Sequence, residues 1–99
     1  MDRSEQMDFD AMKEQADVFD QAAEAMTQAA SRLKGIAQKL DDGAMLGKAG
    51  DALADAFRQR GVPALEKLGG KLTEEARDIR DSVRDMQEAV AASKSKFGG

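Results

Sequence analysis

Ninety-nine residues with 34% charged side chains, four Phe as the only aromatics and a single Pro describe one helical domain at most. The chain has no Cys, which excludes a disulfide framework and a thiolate metal site, and no His, which removes the commonest general base and metal ligand. The net charge of −4 hides a partition: residues 1–31 hold eight acids against Arg3 and Lys13, net −6, and the remainder is net +2. An acidic first half repels nucleic acid and anionic lipid, so neither is an expected partner.

Residues 1–7 read as a polar arm, with Ser4 or Asp8 available as the N-cap of the first helix. From Phe9 a seven-residue repeat begins. Phe9, Ala16, Ala23, Ala30, Ala37 and Ala44 form one series, and Met12, Phe19, Met26, Leu33 and Leu40 a second, offset by three. Alternating steps of three and four place both series on one stripe of an α-helix, and the small–large pairing suits a close coiled-coil seam. The spacing predicts helix 1 over about 8–40, roughly 50 Å long at 1.5 Å per residue. Ala22, Ala29 and Ile36, each one position before the small series, widen the stripe beyond what one neighbour covers.

A Gly-rich turn is predicted over 41–50, where Gly43, Gly47 and Gly50 permit a reversal. Helix 2 is predicted over about 51–93. Its apolar face starts at Leu53, Ala56 and Phe57 and continues through Leu65, Leu68, Leu72, Ala76, Ile79, Val83, Met86 and Val90. The two parts do not share one heptad frame, and Pro63 removes a backbone donor, so a kink near 61–63 is expected. Residues 94–99 have the composition of a flexible tail.

Two helices cannot enclose a core. The expected fold is therefore all-α, a single domain over 1–99: a two-helix antiparallel hairpin, bent near Pro63, that assembles as a four-helix-bundle dimer. The packing set for seam and dimer is Phe9, Met12, Phe19, Met26, Leu33, Ile36, Leu40, Leu53, Phe57, Leu65, Leu68, Leu72, Ile79, Val83, Met86 and Val90. The stripe does not distinguish a homodimer from pairing with a paralogous hairpin.

Two motifs invite catalytic readings. Gly47-Lys48 lacks the earlier Gly and the following hydroxyl of a phosphate loop, having Asp42 and Ala49 there instead. The carboxylates from Glu74 to Asp85 alternate with Arg77, Arg80 and Arg84 at helical spacing, the pattern of a solvated, ion-paired face. No catalytic, cofactor-binding or metal residue is assigned, and the chain is expected not to be an enzyme. No apolar run approaches the ~20 residues of a membrane span and the N-terminus lacks a basic-then-apolar leader, so stable membrane insertion is not expected. The expected location is cytoplasmic, or outside the cell by a route without a cleaved signal peptide.

The turn carries a family resemblance. Met45-Leu46-Gly47, followed by Gly50-Asp51-Ala52-Leu53 and Phe57, resembles the Trp-Xaa-Gly turn of the small helical hairpins exported by type VII (ESX) secretion systems, the early-secretory-antigenic-target-like family. The resemblance covers roughly residues 8–93 in length, layout and turn position, with Met45 where the family has Trp. The family's Tyr-based C-terminal export signal has no counterpart, since the chain has no Tyr; Phe97, the apolar residue of the tail, is the candidate export-tail contact. The resemblance implies a non-catalytic secreted substrate, or substrate partner, that works as a helical-hairpin dimer and presents turn and tail to a secretion ATPase. The alternative is a cytosolic targeting factor or chaperone that docks onto the helical head of a larger secreted effector.

Overall fold

The computed structural model describes residues 3–44 and 47–96, and among them there is no strand. Helix α1 spans Arg3–Lys39, with Glu5 in its first turn and Lys39 in its last, both favourable to the helix dipole. It starts five residues ahead of the expected Asp8, so residues 3–7 of the polar arm belong to the helix. The run ends in a kink over Leu40–Ala44, because Gly43 sits at φ 105, a left-handed conformation that Gly adopts without a Cβ clash. Ala44, which the periodicity adds to the small series, lies past this break and is exposed.

Helix α2 occupies Lys48–Ala56, three residues earlier than the sequence suggests, and packs against the Leu40–Ala44 segment. Gly47 precedes it at φ 89, and its carbonyl accepts from the Asp51 amide at 3.2 Å. A π-helical segment, Phe57–Gly61, separates α2 from α3, Val62–Lys96. The sequence places the break at 61–63; the altered pitch lies in the turn just ahead of it. Pro63 offers no amide, and its ring would meet the carbonyl four residues back in an α-helix. In the wide turn the Val62 amide reaches five residues back, to the Phe57 carbonyl, which opens the backbone ahead of the proline.

That turn also explains the frame slip. Val62, Gly69, Ala76 and Val83 are buried at strict seven-residue spacing, whereas buried Ala54 lies eight residues before Val62. The π segment absorbs the extra residue and returns both helices to one face.

The chain forms two compact units, Met1–Gln21 with Leu72–Gly99, and Ala22–Lys71. Each pairs a stretch of α1 with a stretch of α3, the hairpin arrangement. In the Ala22–Lys71 unit, a Cβ on Gly61 would lie 2.5 Å from Leu33 Cδ2, and one on Gly69 would lie 3.4 Å from both the Ala23 carbonyl oxygen and Met26 Cβ. The buried residues of this unit are Ala23, Ala30, Ala37, Gly50, Ala54, Val62 and Gly69. Backbones therefore approach closely along a seam of small side chains. In the other unit Phe9, Ala16, Ala76 and Val83 are buried, Val83 to 1% exposure.

Candidate interaction surface

Within each unit the two sides of the seam differ. Four residues after a buried position, a helical side chain is turned about 40° one way; one residue before, about 100° the other way. Across an antiparallel pair, equivalent positions fall on the same side of the contact.

The first side is polar and closed by ion pairs. Asp20, Lys34, Asp41, Arg58, Glu66 and Arg80 each come four residues after a buried one. In the Ala22–Lys71 unit Lys34 lies 3.8 Å from Glu66, and Arg58 donates to Asp41. In the other unit the Arg80 guanidinium reaches Asp17 at 2.8 Å and Asp20 at 2.7 Å. The hydrogen bond to Asp17, then that to Asp20, holds Arg80 charged above its ordinary pKa, and the bond to Asp41 does the same for Arg58. Of the pairs suggested by spacing along α3, Asp81–Arg84 forms at 3.3 Å, while Arg80 is committed across the seam. An open depression of about 360 Å³ lies on this side, lined by Lys34, Gln38, Arg58 and Val62. Its cations are engaged by Glu66 and Asp41, and Gln38 donates to Asp42.

In the Ala22–Lys71 unit the second side is apolar and open. Ile36, Leu53 and Leu68 each precede a buried Ala37, Ala54 or Gly69 by one; in the other unit the equivalent positions are Asp8, Gln15, Glu75 and Ser82, and Met86, three after Val83, is the exposed apolar residue on that side of its own seam. Ile36, Leu53, Leu68 and Met86 are exposed, Ile36 and Leu68 to 47%. Beside them Met12, Phe19, Met26, Leu33, Leu40, Phe57, Leu65, Leu72, Ile79 and Val90 are half-buried, and of the expected packing set Phe9 and Val83 are fully inside. The large heptad series thus flanks the seam instead of filling it.

Of the turn motif, Gly47 caps α2; Met45 and Leu46, like Phe97 in the tail, lie outside the described residues. Among the described residues no group of His, Cys, Asp and Glu could hold a metal ion, and no helix is long and apolar enough to cross a membrane. Sequence reasoning missed the ion-paired side. Its signal was present, since a charge stands four places after Ala16, Ala30, Ala37, Ala54 and Ala76, with Thr after Ala23 and Gly69. Comparison with known protein families, with curated proteins and with solved structures returns no match to the chain.

Proposed function

We propose that this protein is a non-catalytic helical-hairpin substrate, or substrate partner, of a type VII secretion system, and that it works as a dimer. The observation that carries the reading is the open apolar side. A hairpin unit whose polar side is tied by ion pairs, and whose other side leaves Ile36, Leu53 and Leu68 partly exposed, is suited to lie against another hairpin. These side chains are already about half covered, so completing the burial of each contributes less than the ~1.5–3 kcal/mol of full burial, and several must act together to offset the cost of association. The turn resemblance at Met45-Leu46-Gly47 supports the secretion assignment, with turn and C-terminal tail as the recognition end.

The test is export. The chain, expressed with a type VII ATPase and its neighbouring genes, is expected in the medium without proteolytic shortening. Met45→Ala combined with deletion of Phe97 to Gly99 is expected to abolish export while leaving the dimeric state and the melting temperature nearly unchanged. Retention of the intact chain in the cell, bound to the helical head of a larger exported protein, sinks the substrate reading and favours the chaperone alternative.

A further inference from the structure

The kink that ends α1 holds the chain's single Asp-Gly sequence, Asp42-Gly43. The chain has no Asn, and every other Asp is followed by a residue that carries a Cβ. Asp42 and Gly43 are both exposed, and Gly43, at φ 105 and ψ 11, is where the backbone leaves helical angles. An aspartate carboxyl is a latent electrophile toward the amide nitrogen of the next residue. Inside a helix the two do not meet, because helical ψ turns that nitrogen away from the side chain and the neighbour's Cβ crowds the approach. At Asp42 both restraints are weak. Gly43 has no Cβ, and no helical turn continues past it, so the segment opens more readily than the interior of α1 or α3. One contact opposes attack. Gln38 Nε2 donates to Asp42 Oδ1 at 3.1 Å, which draws the carboxylate back toward the preceding turn.

We propose that Asp42 is a site of spontaneous isomerisation to isoaspartate and that Gln38 guards it. The Gly43 nitrogen bonds to the carbon of the protonated Asp42 carboxyl. The nitrogen's proton leaves with the carboxyl hydroxyl as water, and a succinimide ring closes. Water then adds to one ring carbonyl and a carbon–nitrogen bond breaks. Addition at the side-chain carbonyl restores aspartate; addition at the main-chain carbonyl leaves isoaspartate, whose main chain runs through the Asp42 methylene. No oxidant, reductant or reactant besides water enters. The product keeps its charge but lengthens the main chain by one carbon, a bond of about 1.5 Å. The added carbon lies next to Asp41, the partner of Arg58, in the segment against which α2 packs. The modification therefore acts on the joint between α1 and α2.

The experiment keeps the full chain in heavy-oxygen water at neutral pH and body temperature for weeks, then maps its peptides by electron-transfer mass spectrometry. Solvent oxygen is expected at Asp42 with the fragment ions of a β-linked aspartate. At Asp81, whose neighbour Ser82 is small but lies inside α3, labelling is expected to be at least ~tenfold slower because the helix must open first. Gln38→Ala is expected to speed labelling of Asp42 severalfold, and Asp42→Glu, which would have to close a larger ring, to abolish it there. The isoaspartyl form, separated by chromatography, is expected to melt below the parent chain. Labelling of Asp42 no faster than that of Asp81, or labelling that appears only in denaturant, overturns the site. Gln38→Ala without effect on the rate overturns the guard, and an isoaspartyl form that melts unchanged overturns its action on the joint.

Discussion

The two units use one heptad rule with opposite materials. In the Ala22–Lys71 unit the buried positions are Ala, Gly and one Val, and Gly61 lies under Leu33. In the other unit Phe9 and Val83 occupy equivalent positions and are as deeply buried as the alanines. Seven-residue spacing decides which residues meet; side-chain size decides how near the backbones come. A seam of small residues gains from close backbone approach and has no room for added atoms, whereas a seam with Val83 depends on the volume that side chain fills.

The sharpest way to break the comparison is charge in the filled seam. Val83→Asp places an unpaired carboxylate at a position 1% exposed, and a loss of about 3–5 kcal/mol is expected in denaturant unfolding. Next comes volume in the close seam. Ala23→Leu, at 7% exposure beside Gly69, is expected to cost about 1–3 kcal/mol by overpacking; a neutral result would mean that the backbones are not held close there. Glycine replacement separates the two effects more finely. Gly70 has open space around a Cβ, so Gly70→Ala is expected to stabilise by about 0.5–1 kcal/mol through helix propensity. Gly61→Ala is expected to forfeit that gain because Leu33 must move aside. A thermal melt in which both variants gain equally would refute the Leu33–Gly61 contact.

The smallest effect is expected at Arg80→Ala. Its guanidinium is exposed, so removing the bridge to Asp17 and Asp20 should lower the Tm slightly at low salt and not at all near 1 M NaCl. Because Arg80 is held above its ordinary pKa, its contribution is fully present below the unfolded pKa and is lost only as pH rises through the folded one. No stability change across the neutral range is expected from it.

Helix 1 was legible because Phe9 to Ala37 repeat without interruption and small apolar residues still count as apolar. The buried series of α3 was legible at Ala76 and Val83 but not at Val62 and Gly69, for two physical reasons. Gly69 sits at a core position with no side chain to mark it, so Leu65, Leu68 and Leu72 drew attention to the flank instead. The π segment at Phe57–Gly61 inserts one residue between Ala54 and Val62, so the two halves of helix 2 look out of phase although both face the seam. The interaction surface was half legible. Excess apolar width was visible at Ala22, Ala29 and Ile36, but the side of the seam on which it lies is set by pairing geometry.

Among the described residues, six of the nine buried apolar side chains are alanine, and this has a calorimetric consequence. The heat-capacity increment of unfolding scales with apolar surface exposed, typically about 12–15 cal/mol/K per residue. An alanine seam hides little of that surface, so the single chain should fall below this range and melt broadly, with a shallow dependence of stability on temperature. Most of the missing increment should reappear when the open side is covered, as a negative heat-capacity change of association. Cold, then, should loosen the pairing of chains more than the helices within each one.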